Sequence, residues 1–453
     1  MNTPAVFPAP AAPAAPGGAD LGEYVRRHAA ADLVVQPRMG MSDPEEMAAG
    51  VRAVAGARAR TVATLTIDSY TRVGDESGAR DALARQGRIN GYPITVHGPE
   101  RTAAVAAAAG DRPVQVRHGS AAPGPIFRTL VRAGLSASEG GPVSYCLPYG
   151  RVPLAESVAH WRDATERLAG ECDALGRRAH LETFGGCMLG QLCPPSLLLA
   201  LSVLESLFFV RHGVRSVSLS YAQQTHPVQD LEALAALRRL ADRHLPGEID
   251  RHLVLYTYMG VFPETRDGAE LLNEHSAELA ARAGVERLIV KTPAEAHRLP
   301  TVPENVRALR RAADAAARAR TSSLLPRAHD TDHGAVLEEA DALIGAVLEL
   351  SDDIGTGLLR AFEQGLLDVP FCLHRDNRGA TRTAVDPTGR LVWADPGALP
   401  LPRRTGPSAP RRVRAAELLG MLRYTADRYD SLGALHTRPR PLPRIRESLL
   451  TAS

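Results

Sequence analysis

With 453 residues, 44% of them hydrophobic, the chain has the length and composition to bury a large core, which excludes a disordered or fibrous protein. Its 53 basic and 51 acidic residues are spread along the sequence, and the resulting formal charge of +2 excludes a nucleic-acid footprint or a polybasic membrane arm. Cys146, Cys172, Cys187, Cys193 and Cys372 include no C-x-x-C pair, the pattern of reduced thiols in a cytoplasmic protein whose partners are small molecules or proteins.

Residues 1–20 are Pro- and Ala-rich and form a disordered tail that lies outside the fold. From Leu21 onward, short β-type runs alternate with helical stretches rich in Ala, Leu, Arg and Glu, the order expected of parallel strands with crossover helices. Nine runs qualify as strands: Leu33–Gln36, Val62–Ile67, Pro93–Val96, Val114–Val116, Val143–Leu147, His180–Glu182, Val217–Leu219, Leu253–Thr257 and Leu288–Val290. Eight close a (β/α)8 TIM barrel over residues 21–330, and the proline-led run at Pro93 is the surplus one. The most apolar run, Pro194–Val210, contains Glu205 and is too short to span a bilayer, so it reads as a buried helix. Residues 331–453 form a C-terminal extension of helices and one irregular hairpin, with Asp386-Pro-Thr-Gly389 as its turn.

Two features stand out against this background. Lys291 is the only lysine, so it is a candidate for a position where the planar arginine fork fails. The stretch Ser138–Tyr149 joins Glu139 and a glycine pair to Val143, Tyr145 and Leu147, which alternate as a short strand ended by Pro148. Arg38, Arg72, Arg117, Tyr149, Gly185, Met259 and Lys291 all fall at or just past a strand's C-terminal end, where barrels of this kind build their sites. One arginine there is more often a cap or an ion-pair partner, but three on one rim call for anions. Their guanidinium forks suit a dianion, Glu139 suits an ammonium group, and Tyr145 and Tyr149 donate or accept around it, so an acidic α-amino acid fits better than a sugar phosphate. As a rim acid, Glu139 is expected to contribute little to the core.

The motifs Leu33-Val-Val-Gln-Pro-Arg-Met-Gly40, Asp68-Ser-Tyr-Thr-Arg72, Ile89-Asn-Gly-Tyr-Pro93, Arg117-His-Gly119, Glu139–Tyr149, Lys291-Thr-Pro-Ala-Glu295 and Ala361–Phe371 are collinear. Together they resemble the large (epsilon) subunit of adenosylcobalamin-dependent glutamate mutase, also called methylaspartate mutase, over roughly Ala31 to Gly379. The resemblance implies a (β/α)8 barrel in which Arg38, Arg72 and Arg117 bind glutamate, Glu139 meets its ammonium, and Tyr145 and Tyr149 complete the substrate set. It further implies that Lys291 and Glu295 lie near the adenosyl ribose and that Gly40, Asn90 and Pro148 line the corrin. The implied reaction is a radical rearrangement of L-glutamate to 3-methylaspartate, in a dimer of large subunits flanked by small ones. The family's Asp-x-His-x-x-Gly cobalamin motif lies in a separate small subunit or domain, and His329-Asp-Thr-Asp-His-Gly334 does not have its spacing, so the resemblance implies a small cobalamin-binding partner subunit. Met188, where the family has a small hydroxyl residue, and the segment Cys372–Arg375 depart from the pattern. Two rival readings are a Schiff-base lyase acting through Lys291 and a non-catalytic barrel subunit.

Overall fold

The structure, a computed structural model, describes residues 19–148, 150–187, 192–322, 326–402 and 413–437. Tyr149, Met188 and the tail before residue 19 lie outside the described residues, as do residues 403–412. Eight parallel strands form the centre: β1 (Val34–Pro37), β2 (Ala63–Thr66), β3 (Val114–Arg117), β4 (Ala137–Gly140), β5 (His180–Thr183), β6 (Ser216–Ala222), β7 (Asp250–Tyr256) and β8 (Arg287–Val290). They pair in the order β1-β8-β7-β6-β5-β4-β3-β2. Val35 N donates to Arg60 O at 2.8 Å and Thr66 N to Met39 O at 2.9 Å, so β1 meets β2 and the ring closes as a barrel. Each crossover between parallel neighbours carries helix, as parallel pairing demands.

Seven of the nine candidate runs are strands of this barrel, and two are not. Pro93–Val96, the surplus run, leads into the helix Ile94–Ala107. Val143–Leu147 is a correction: β4 lies earlier, at Ala137–Gly140, and carries Glu139 itself. Residues 142–148 instead wind as a tight turn, with Tyr145 N donating to Gly141 O at 3.1 Å and Leu147 N to Val143 O at 3.0 Å. The cause is Glu205, buried on the helix Pro195–Arg211, which accepts from Val143 N at 3.2 Å, Ser144 N at 2.8 Å and Ser144 Oγ at 2.9 Å. It also accepts from Gly185 N at 2.9 Å, so one carboxylate ties the turn after β4 to the turn after β5. Burial pushes this carboxyl up to about 7, against those hydrogen bonds. Alternation misled because both faces of the segment are buried, Ser144 and Cys146 included.

The barrel interior is polar where such barrels are usually packed with branched apolar side chains. Gln36 Nε2 donates to Gln115 Oε1 at 2.7 Å and to Thr64 Oγ1 at 2.9 Å, and Gln115 Nε2 reaches Glu182 Oε2 at 3.2 Å. Arg287 pairs with Glu182, both side chains fully buried, and its Nε donates to His252 Nε2 at 3.2 Å. Outside the ring, the helices Gly334–Leu350 and Ile354–Gln364 cover Pro195–Arg211, which is why that helix is buried on every side through Phe209. The hairpin of β9 (Arg382–Val385) and β10 (Leu391–Asp395) turns at Asp386–Gly389, and the helix Ala415–Thr437 follows. No helix among the described residues is long and apolar enough to cross a membrane.

The tether at Glu205 makes the glycines separable. A Cβ on Gly141 would lie 2.0 Å from Glu205 Oε1, so Gly141→Ala is expected to destabilise by about 1–3 kcal/mol through overpacking. At Gly170, inside the helix Leu154–Ala174, an added methyl group would meet nothing within 4 Å, and Gly170→Ala is expected to stabilise by about 0.5–1 kcal/mol. Urea midpoints of the two variants against the parent chain check both signs.

Candidate active site

The strand ends deliver the side chains to one mouth. Arg38 follows β1, Arg117 ends β3, Glu139 lies on β4, and Lys291 follows β8. Arg72 closes the short helix Ser69–Arg72, which starts where Asp68, fully buried after β2, accepts from Tyr70 N and Thr71 N, each at 2.9 Å. An N-cap aspartate of this kind fixes the direction in which the turn leaves the strand. Glu295 sits in the 3-10 turn Pro293–Ala296 just past Lys291.

These residues fall into two tiers. Arg38, Gly40, Arg72, Asn90 and Glu295 line one open cavity of about 830 Å³ at the C-terminal mouth of the barrel. Gly40 packs its backbone against β2, where a Cβ would come within 2.1 Å of Thr66 O. Arg38 Nη1 pairs with Glu295 Oε2 at 2.9 Å, and Lys291 Nζ lies 3.7 Å from the same oxygen and 4.8 Å from the centre of the Phe262 ring. Burial pushes the Lys291 amine down to about 8, with Glu295 opposing the shift and Arg38 adding to it. Glu295 Oε1 and Thr292 Oγ1 are buried without a hydrogen-bond partner among the described residues.

Arg117, Glu139 and Tyr145 form the second tier, a buried floor. Arg117 Nη2 lies 2.8 Å from Glu139 Oε2, Tyr145 OH donates to Glu139 Oε1, and Tyr256 OH, 3.1 Å from Arg117 Nη2, donates to Glu139 Oε2 at 2.8 Å. Tyr256 OH also reaches Glu182 Oε1. Burial opposes the charge on Arg117, yet Glu139, the two tyrosines and Glu182 hold it protonated well above its ordinary range. Burial likewise pushes Glu182 up, but Arg287 and Arg117 hold it below the ordinary carboxylate range. Arg72 joins the floor from above: a Cβ on Gly119, a residue with φ of +72°, would lie 3.2 Å from Arg72 Nε. His118 stacks its edge on Tyr145 with ring centres 5.1 Å apart, and burial drives its pKa down to about 3, so it is neutral.

Two expectations need correction here. Glu139 is not an exposed rim acid: it is 2% exposed and ion-paired, so removing its charge disturbs the core as well as the site. Arg117 is not an open fork either, because Nη2 is taken by the protein and only Nη1, buried and without a partner among the described residues, is left for a ligand. Pro148 ends the turn half-buried, and Tyr149 lies outside the described residues. Sequence reasoning missed Tyr256, Glu182, Arg287, Gln36 and Gln115. Their signal was an ionisable or amide side chain at the middle or end of a strand, a place where such groups are rare unless paired. No group of His, Cys, Asp and Glu among the described residues could hold a metal ion, and Cys146, Cys172, Cys193 and Cys372 are free and buried.

The Lys291 shift fixes the sign of a pH effect. Its folded-state pKa, about 8, is below the ordinary 10.5, so the cost of burying the charge is present in full below about 8 and fades as pH rises to 10.5. Lys291→Met, which leaves Glu295 paired with Arg38, is expected to raise stability at pH 7 by up to about 3 kcal/mol, with the gain vanishing towards pH 10.5. Urea unfolding of both proteins across that pH range measures it.

Comparison with known proteins agrees with this architecture over most of its length. Residues 20–416 match the family described as methylaspartate mutase E chain. The glutamate mutase epsilon subunit of Yersinia enterocolitica is 32% identical over 350 residues, covering 75% of this chain and 72% of that protein. The subunit of the same name from Haloarcula marismortui is 32% identical over 376 residues, covering 82% and 77%. That of Escherichia coli O157:H7 is 31% identical over 350 residues, covering 75% and 72%. With a match that spans the barrel and the extension behind it, the chain belongs to the methylaspartate mutase E chain family.

Proposed function

We propose that this chain is the large, substrate-binding subunit of a glutamate mutase that rearranges the carbon skeleton of L-glutamate to 3-methylaspartate with adenosylcobalamin. The observation that carries the reading is the buried floor, where an acid and a guanidinium lie side by side beneath two further arginines. Arg117 Nη1 is an unsatisfied donor for one carboxylate oxygen, and Arg38 and Arg72 at the cavity wall supply charge for the rest. Glu139, already held by Arg117, Tyr145 and Tyr256, is the acceptor for the substrate ammonium. A ligand with two carboxylates and one ammonium satisfies this set, whereas a neutral sugar or a monocarboxylate leaves buried donors unpaired, at a cost of about 1–3 kcal/mol each.

The open cavity above the floor fits the cofactor. Glu295 Oε1 and Thr292 Oγ1 are buried polar atoms without partners, suited to the hydroxyls of a ribose, with Lys291 beside them. The close backbone approach of Gly40 and the exposed amide of Asn90 on the same wall leave room for a large flat group. When bound, adenosylcobalamin supplies homolytic cleavage chemistry that no side chain offers. The chain's own residues bind the substrate, fix its carboxylates while the skeleton is broken and remade, and exclude water from the floor. The stretch spaced Asp-x-His-x-x-Gly, Asp242–Gly247, ends the helix Pro227–His244 with His244 Nε2 held 2.7 Å from Asp341 Oδ1, and the relatives are named as epsilon subunits, so a separate small subunit is the proposed source of the cobalamin ligand.

The assay is the full chain combined with a cobalamin-binding small subunit, adenosylcobalamin and L-glutamate, read as 3-methylaspartate formed. Arg117→Lys keeps one charge but removes the second nitrogen, and is expected to lower kcat/KM at least about tenfold, the loss of one charge-assisted hydrogen bond. Unchanged kinetics in that variant would remove Arg117 from the substrate set. An amine near pKa 8 also suits imine chemistry, the rival lyase reading. Borohydride added with an acidic keto acid is expected to leave the mass of the chain unchanged, and a trapped adduct at Lys291 would decide for the lyase.

A further inference from the structure

We infer that Glu205 is a positioning residue for the floor: its carboxylate, by accepting from the turns after β4 and β5 together, sets where Tyr145 meets Glu139 and where Phe184 backs Tyr145. The inference rests on the proposed glutamate-binding role of the floor.

Glu205 is fully buried on the helix Pro195–Arg211. Its Oε1 accepts from Val143 N at 3.2 Å and Ser144 N at 2.8 Å, just before Tyr145. Its Oε2 accepts from Ser144 Oγ and from Gly185 N, just after Phe184, each at 2.9 Å. Each turn thus delivers one ring to the floor. Tyr145 OH donates to Glu139 Oε1, and the Phe184 ring centre lies 5.0 Å from that of Tyr145 and 5.6 Å from that of Tyr256. Phe184 N also donates to Gly140 O at 3.1 Å, next to Glu139.

The arrangement calls for an ionised acid. Three of the four donors are backbone N–H groups, which cannot become acceptors, so a proton on the carboxyl has one place to go, onto Oε2 and towards Ser144 Oγ, whose own hydrogen can turn away. In that neutral form the remaining bonds lose their charge assistance and are roughly half as strong. No cation among the described residues pairs with Glu205, and the titratable groups on the elements around it are engaged elsewhere. Cys146 on the turn keeps its proton, driven up to about 12 by burial, Glu182 on β5 pairs with Arg287, and Tyr221 on β6 donates to Asp230 on the helix Pro227–His244 at 2.8 Å. Asp341 on Gly334–Leu350 pairs with Arg243, and Arg360 on Ile354–Gln364 donates to Leu350 O at 2.6 Å.

Burial pushes the Glu205 carboxyl up from 4.5 to about 7, so the acid changes form around neutral pH. The signs for stability and for the site are opposite. The stability this raised pKa contributes is present in full below pH 4.5 and is lost as pH rises through about 7, whereas the grip on the two turns grows over that rise. The charge weakens the fold where it tightens the floor.

The test measures binding of L-glutamate to the full chain combined with its small subunit, by isothermal titration at pH 6 and pH 8. With Glu205 about a tenth ionised at the lower pH and about nine tenths at the higher, the parent is expected to bind about tenfold more tightly at pH 8. In Glu205→Gln, of the same size but unable to ionise, that ratio is expected to fall to about one. Lys291 and the ligand titrate alike in both proteins, so the comparison isolates position 205. Equal ratios in parent and variant overturn the inference. Phe184→4-fluorophenylalanine places a probe that does not itself titrate, and its fluorine resonance in the otherwise unaltered chain is expected to step between pH 6 and pH 8. A flat resonance overturns the inference even if Glu205→Gln does not fold. A chain that shows the step but binds no glutamate at either pH supports the positioning role and overturns the substrate reading alone.

Discussion

The ion pair between Arg117 and Glu139 is the contact on which the rest of this barrel depends. Taking two charges out of water costs several kcal/mol per ion unless geometry and further hydrogen bonds repay it. The repayment extends through the barrel: Tyr145 and Tyr256 cap Glu139, Tyr256 reaches Glu182, and Glu182 pairs with Arg287. Below that, Arg287 meets His252, which stacks on His180 with ring centres 5.3 Å apart, and His180 Nδ1 lies 2.8 Å from Ser216 Oγ. Ser216 in turn donates to Asp250 at 2.9 Å, and Asp250 pairs with the half-exposed Arg26 at the opposite face. Two acids and two guanidiniums alternate in the upper part, so the column is neutral as built and each charge has its opposite beside it.

Such a column has a functional use. Donors and acceptors that are already oriented need not reorganise when a charged ligand arrives, and in a water-poor site each of them acts more strongly. The floor is therefore rigid and the wall adjustable. Arg38 and Glu295, whose side chains are 36% and 14% exposed, form a pair that a ligand carboxylate can enter, whereas Arg117 and Glu139 at 5% and 3% cannot separate without leaving an unpaired charge inside the barrel. In the proposed function, specificity for the amino end falls to the floor and tolerance for the large cofactor to the wall.

Much of this was legible in the sequence, and the limits of legibility are physical. Parallel strands buried on both faces read as short β-branched runs, and seven of the barrel's eight strands followed from them. The eighth, Ala137–Gly140, is Ala-Ser-Glu-Gly and carries no apolar signal, because Glu139 faces the polar column, Ser138 Oγ donates to Val116 O, and the glycine makes room for Trp161, whose ring would sit 2.6 Å from a Cβ at Gly140. The apparent strand at Val143–Leu147 borrowed its alternation from a turn that Glu205 holds from another helix, a partner about sixty residues away that no local pattern announces. The rim arginines were visible because strand ends are visible. Tyr256 and Glu182 were not, because what sets them apart is which neighbours they face across the barrel.

Lys291 shows how the same physics settles a residue that composition merely flagged. Glu295 Oε2 already receives Arg38, so a second guanidinium at position 291 would compete for one oxygen with a fixed planar fork that cannot lose its proton. A lysine ammonium is compact enough to lie 3.7 Å from that oxygen and 4.8 Å from the Phe262 ring centre, where the ring face offsets part of the charge. Its pKa, lowered to about 8 by burial, lets the amine yield its proton where an arginine could not. In a chain that uses arginine everywhere else, lysine stands where two cations share one acid.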